Sequence, residues 1–262
     1  MQQAFDSASN AYDKDEAENP TRRIMRAHSI KLLRATFHPG QRILEIGCGT
    51  GTEAIALAKS GMKIVATDIS PQMIARTRQR VLSRGLQDRI TMEQLPAHDI
   101  GMLDEEYGPK SFDGAYSSFG ALNCEPRLND FVLSLAGLLK PDSSFVCSVM
   151  NKFCLFDFAL NSLLFKRTNR LACMCAPLGT AEVLTSFYSV GEFTKMFVDF
   201  FTIRQIRALL TFLPPPYFEK TIHLLKPAPT KISDLDWELG KFYPFNRLGD
   251  HLIVIFRTLG GK

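Results

Sequence analysis

Along the 262 residues of this chain, short apolar runs alternate with stretches whose apolar residues recur every three or four positions. Ile43 to Ile46 is such a run, interrupted only by Glu45. Three glycines follow at alternate positions, Gly47, Gly49 and Gly51, and from Thr52 the apolar residues Ile55 and Ala58 return at helical spacing. The pattern predicts a buried strand, a tight loop and a helix. The alternation continues with strands over 63–70, 89–93, 144–149, 202–212 and 249–257, a strand and its exit loop over 111–123, and helices over 71–85, 130–139 and 188–201. Ahead of these, 21–37 reads as a basic amphipathic helix with Ile24, His28, Leu32 and Leu33 near one face, stopped by Pro39-Gly40. Its Arg22, Arg23, Arg26, Lys31 and Arg34 are expected on a solvated face, and His28 as a packing residue. Strands separated by helices define an α/β class.

The glycine loop carries the first chemical signal. Small residues let a ligand lie against the backbone, and the helix that follows aims its unpaired N–H groups and positive end at the same spot. An anionic group is therefore expected beside Gly49 and Gly51. In the dinucleotide fingerprint the third glycine comes one place later, where this chain has Thr52. The second strand ends in Asp68, 17 positions after Gly51. In an open α/β sheet that carboxylate lies next to the glycine loop, where it can accept both ribose hydroxyls of a nucleoside.

Glu45-x-Gly47-x-Gly49-x-Gly51 resembles motif I of the class I S-adenosylmethionine-dependent methyltransferases, and TDIS-PQMI after LEIGCGTG resembles the pattern that follows it there. Ser111 to Asn123 and LLKPDSSFVCSVM are similar to the fourth and fifth strands of small-molecule members, with Pro141-Asp142 in place of the usual Pro-Gly. The resemblance implies a Rossmann-like seven-stranded sheet with helices on both faces, the last strand antiparallel between its neighbours, and S-adenosyl-L-methionine as cofactor. It implies cofactor contacts from Tyr12, Glu45, Gly47, Cys48, Gly49, Thr50, Gly51, Asp68, Ile69, Met73, Asp99, Ile100 and Ser117. Of these, Ile69 and Met73 would flank the adenine and Asp99 would accept from its exocyclic amine. Ser118, Phe119 and Asn123 would meet the substrate, with Phe119 against the sulfonium or the acceptor. A general base is needed only if the acceptor must lose a proton; His98, Tyr188 and His251 are the candidates, and no Asp/His or Glu/His pair stands out.

Composition narrows the partners. With 45% hydrophobic and 22% charged residues the chain is an ordinary soluble one, a single domain with an appendage. A net charge of +4 without a run of five or six Lys/Arg argues against DNA, and, with no amine-methylating Asn/Asp-Pro-Pro-aromatic motif after the fourth strand, against RNA. Leu213-Pro214-Pro215-Pro216-Tyr217 lacks the amide or acid of that motif and is expected to be a rigid loop. The six cysteines form no C-x-x-C pair and no metal-ligand set, which is expected of reduced thiols in the cytoplasm. The amino terminus has no signal-peptide pattern, and the longest apolar stretch, 153–165, is too short to span a bilayer.

The domain reading is an N-terminal helical segment over 1–38, a cofactor-binding core over 39–150, an insertion over 151–187, and completion of the core over 188–262 with a cap at about 213–247. The insertion carries Phe153, Phe156, Phe158 and Phe165, then a basic patch from Lys166 to Arg170, and is expected as a lid or a dimer contact; monomer and homodimer are both compatible. The function expected is methyl transfer to O, C or N of a small apolar acceptor. A noncatalytic S-adenosylmethionine-binding partner protein, an RNA methyltransferase and an NAD-dependent oxidoreductase are the competing readings.

Overall fold

The computed structural model describes residues 1–7, 18–163, 168, 170–171, 174–178, 181–218 and 229–260. Tyr12 lies outside them. Seven strands form one sheet: β1 (Arg42–Ile46), β2 (Lys63–Asp68), β3 (Ile90–Gln94), β4 (Phe112–Ser117), β5 (Leu139–Met150), β8 (Phe201–Leu209) and β9 (His251–Thr258). Their order is β3-β2-β1-β4-β5-β9-β8. The first five are parallel, and β9 runs antiparallel between β5 and β8. A separate antiparallel hairpin pairs β6 (Met174–Leu178) with β7 (Ala181–Thr185).

The apolar runs are continuous because both faces of the sheet are covered. Successive side chains go to opposite faces. Thus Phe145, Cys147 and Val149 of β5 join one core while Val146 joins the other, and Leu252, Val254 and Phe256 of β9 part from Ile253 in the same way. The first core is closed by α5 (Leu103–Tyr107), α6 (Leu128–Leu138) and α8 (Val190–Lys195). At its centre Phe197 stacks on Phe256 with ring centroids 4.4 Å apart. The second core takes α2 (Pro20–Thr36), α3 (Thr52–Lys59), α4 (Pro71–Leu82) and α9 (Pro229–Leu239). Residues 2–7 form a short helix, α1, and α7 (Leu155–Leu163) opens the segment after β5.

Several boundaries move from the expected ones. β5 begins at Leu139 and takes in Lys140-Pro141-Asp142, because its first residues pair with β4 across a register shift between Phe112 and Gly114. The helix expected over 188–201 shortens to Val190–Lys195. It starts at a capping box in which Ser189 and Glu192 exchange side-chain-to-backbone bonds, and Tyr188 before it bridges Asn151. Within the expected cap, α9 packs against the sheet. Trp237 stacks on His28 of α2 with centroids 4.6 Å apart, and the Arg207 guanidinium of β8 lies 3.8 Å from the Trp237 ring centroid.

Candidate active site

Beyond β1 the sheet grows one way through β2 and β3 and the other way through β4 and β5. The loops leaving β1 and β4 therefore diverge at the carboxyl ends of the strands, the place where open α/β sheets bind ligands. The glycine loop forms one wall. Gly47 and Cys48 both donate N–H bonds to Thr67 O at 2.9 Å. Gly47 and Gly51 have φ of 72° and 73°, a Cβ on Gly47 would stand 2.4 Å from the Ala121 Cβ, and one on Gly51 would stand 2.5 Å from Thr77 Cγ2. Backbone conformation and space both demand glycine at these two positions. From α4, Thr77 Oγ1 donates to Gly49 O at 2.9 Å, and Arg80 donates to both Thr50 oxygens at 2.8 Å. The buried Thr50 side chain, expected at the cofactor, is thus held by Arg80. Cys48 is buried as well, and burial pushes its thiol well up.

Opposite the loop stands Asp68. Its Oδ2 accepts from Gly49 N at 2.8 Å and its Oδ1 from Ser70 N at 2.9 Å, so the carboxylate and the glycine loop adjoin as expected. Burial raises the Asp68 carboxyl to about 6 against the pull of those two N–H groups. Ser70 caps α4 by accepting from Met73 N at 3.1 Å, and its hydroxyl donates to Asp6. Through Asp6, α1 docks beside the end of β2. Met73 is buried and Ile69 half-buried at the same turn.

Glu45 is 2% exposed, and its Oε2 has no hydrogen-bond partner among the described residues. Burial lifts its carboxyl well above the ordinary range, and neighbouring Glu53 adds to the lift. Glu53 is itself paired with Arg26 at 2.5 Å. Arg26 therefore leaves the solvated face expected for α2, and its guanidinium lies 5.1 Å from the centroid of the Phe119 ring. The buried Tyr116 hydroxyl beside Glu45 pulls that carboxyl the other way, and a cation brought against it would favour its charged form further. The first turn of α3 follows Gly51 without a side-chain cap and suits an anion. Together with Asp68, these groups are of the kind that would hold the ammonium, carboxylate and sugar of S-adenosylmethionine.

The exit of β4 makes the other wall. Ser117 Oγ donates to Ile46 O at 3.0 Å, which spends the hydroxyl on joining β4 to β1. Ser118 and Phe119 are half-buried, and Phe119 is held at φ 57° while its N–H donates to Ser148 Oγ at 2.7 Å. A non-glycine residue kept in that region is strained, a state that neighbouring contacts must enforce. Asn123 is expected at the substrate. Its amide instead donates to Met150 O at 3.1 Å and Ser186 O at 2.6 Å and accepts from Met150 N at 2.8 Å, fastening the loop to the end of β5 and to the hairpin. Ile100 is buried in the first core, and Asp99, 42% exposed on its side chain, pairs with Arg127 at 2.9 Å.

Three histidine–carboxylate pairs exist among the described residues where none stood out in the sequence, one of them His98 Nε2 with Asp99 at 3.6 Å. His98 Nδ1 lies 2.8 Å from Glu125, a partner 27 residues away that only the turn after β4 delivers. His251 Nδ1 lies 2.8 Å from Asp250 Oδ2. This pair was legible in principle, because the two are adjacent at the head of a predicted strand. His251 reaches the carboxyl end of the sheet because β9 is antiparallel, opposite Met150 of β5 and Leu209 of β8, and no inward fold of a cap is involved. Tyr188, the third candidate base, packs on Phe193 with centroids 5.5 Å apart.

Behind His251 lies a buried polar cluster. Arg170, the last residue of the basic patch in the insertion, is 5% exposed and pairs with Asp250, donating also to Asn151 O at 2.9 Å and Tyr217 Oη at 2.6 Å. Tyr217 donates to Asp157 at 3.0 Å. The proline-rich loop thus ends in a residue that ties the segment after β5 to the head of β9.

The sheet order, the glycine loop and the Asp68 beside it are similar to those of class I S-adenosylmethionine-dependent methyltransferase domains, and the sequence matches such a domain over part of its length. The methyltransferase-domain family model matches residues 43–142. Among curated proteins the chain is 34% identical over 149 residues to the demethylmenaquinone methyltransferase of Clavibacter sepedonicus, covering 54% of each. It is 37% identical over 98 residues to an S-adenosyl-L-methionine-dependent Diels-Alderase of Neonectria sp. strain DH2, covering 36% of this chain and 40% of that one. The chain spans little more than half the length of the first curated relatives it matches. Among solved structures the cyclase SpnF superposes with a TM-score of 0.68 at 16% identity, covering 99% of this chain and 95% of that one. At that identity the likeness is one of fold.

Proposed function

We propose that the protein moves a methyl group to an O, C or N atom of a small, largely apolar acceptor by in-line displacement. The observation that supports the reading is the buried carboxyl of Glu45 on β1 together with the Asp68 carboxylate, whose Oδ2 lies 2.8 Å from Gly49 N of the glycine loop, a set suited to a zwitterionic nucleoside. When bound, S-adenosylmethionine supplies an already activated methyl group on a sulfonium. The chain's task is alignment: Glu45 and the mouth of α3 hold the amino-acid end, Asp68 the ribose, and Phe119 offers an aromatic face to positive charge. The demethylmenaquinone methyltransferase relative supports an acceptor of quinol type. The Diels-Alderase relative favours a second reading, in which the same cofactor sits in the site while a substrate cyclises.

Titration calorimetry with S-adenosylhomocysteine tests the foundation: saturable one-to-one binding is expected, and its absence ends the reading. Incubation with methyl-labelled S-adenosylmethionine and quinols then separates transfer from cyclisation, since only transfer releases S-adenosylhomocysteine.

A further inference from the structure

We propose that His251 is the general base of this site, oriented by Asp250 and Arg170, and that the acceptor is a hydroxylated aromatic whose O–H proton passes to His251 Nε2. The inference rests on the methyltransferase reading above and adds to it the acceptor class and the base.

The loop 118–121 connects the pieces. At Ala121 it abuts the glycine loop so closely that Gly47 has no room for a Cβ, and at Phe119 it meets the edge of the His251 ring, with centroids 6.3 Å apart. His251 is therefore separated from the cofactor cradle by one aromatic residue. Its Nδ1 faces Asp250 Oδ2 at 2.8 Å. Burial alone would raise the Asp250 carboxyl, but Arg170 and His251 outweigh it and hold the group at about 2. An ionised carboxylate only accepts, so Nδ1 carries a proton, and in the neutral imidazole the lone pair is the one on Nε2. Nε2 makes no hydrogen bond among the described residues. The charged and titratable groups around this pair are Arg170, Asp157, Tyr217 and the buried Cys154 behind it, and Arg26 across the Phe119 ring. Arg170 bonds Asp250 Oδ1, which leaves Asp250 Oδ2 to orient the imidazole.

A base so placed serves an O–H acceptor. A carboxylate acceptor has no proton to give, and a neutral amine attacks with its own lone pair. A phenol attacks well only as it ionises, and its ring suits a site walled by Phe119. In the balanced step the phenolic oxygen bonds to the methyl carbon, the carbon–sulfur bond breaks with its pair left on sulfur, and the O–H proton goes to Nε2 and then to water.

The test compares 4-methoxyphenol, un-ionised at neutral pH, with 4-nitrophenol, largely ionised at slightly alkaline pH, in wild type and His251→Gln. Turnover of 4-methoxyphenol is expected to fall by about 10²- to 10³-fold in H251Q, and that of 4-nitrophenol by less than about tenfold. Nitrogen-15 NMR of histidine-labelled protein reads the tautomer without turnover: the signal lost in H251Q should show a bare Nε2, and Asp250→Asn should shift it. Calorimetry with S-adenosylhomocysteine should give the wild-type affinity in H251Q, which also establishes that the variant folds. Equal losses on both phenols, a protonated Nε2, or a wild type that binds S-adenosylhomocysteine yet methylates neither phenol would overturn the inference and leave the methyltransferase reading standing. Failure of the wild type to bind S-adenosylhomocysteine would remove the reading beneath it.

Discussion

Asp68 shows how one side chain sets the working range of a site. Its carboxyl titrates near 6 because burial opposes charge more than the Gly49 and Ser70 amides favour it. A ribose donates to the ionised form, so binding must draw the proton off. Affinity for S-adenosylhomocysteine should therefore rise as pH climbs through 6, with protons released on binding below that point, visible in calorimetry across buffers of different ionisation enthalpy. Asp68→Asn should lose about tenfold or more in affinity at pH 8, the worth of a hydrogen bond to a charged group, and should show no such pH dependence. Asn123 and Ser117 carry the opposite lesson. Both stand where the motif resemblance expects ligand contacts, and both spend their polar atoms on neighbouring backbone. Which polar atom is left over depends on partners distant in the chain.

At the scale of elements, polar residues join what the apolar pattern leaves loose. The segment after β5 has the apolar residues of a lid, yet the residue that anchors it is Arg170, buried against Asp250 and within reach of Tyr217 and Asp157. Removing one partner of a buried pair leaves an uncompensated charge. Arg170→Met should cost about 3 kcal/mol in urea unfolding, and Arg170→Met with Asp250→Asn should recover part of that loss. In the sequence Arg170 shows only as the end of a basic patch. Its partner lies 80 positions away and was invisible to any local pattern. Arg26 was misplaced for the same reason, its Glu53 partner being on the next helix.

Across the whole molecule, chain segments far apart close the second core. α2 near the amino end and α9 near the carboxyl end meet through His28, which stacks on Trp237 and lies 2.8 Å from Ser233 Oγ. Burial lowers the His28 pKa from 6.5, so the folded protein binds this proton less readily than the unfolded chain. Its contribution is present above pH 6.5 and is lost as the pH falls below that value. Thermal stability should decline on acidification through that window, and His28→Gln should flatten that part of the profile in scanning calorimetry. The two cores themselves follow from alternation along β5 and β9, where adjacent apolar residues serve opposite faces.

By itself the sequence determined the succession of the seven sheet strands and the helices between the first five, the loop at Gly47 to Gly51 with Asp68 beside it, and the antiparallel last strand that the motif resemblance implied, because all of these are written in local spacing or in one contiguous motif. Only the tertiary structure decided that Arg26 is partly buried and Arg170 buried in ion pairs, that α9 is a wall of the core, and that His251 stands beside Phe119 with its Nδ1 facing Asp250. Those facts depend on which distant segments share a neighbourhood, and the energy that selects them, burial of a charge against its partner, does not exist until the sheet has brought the partners together.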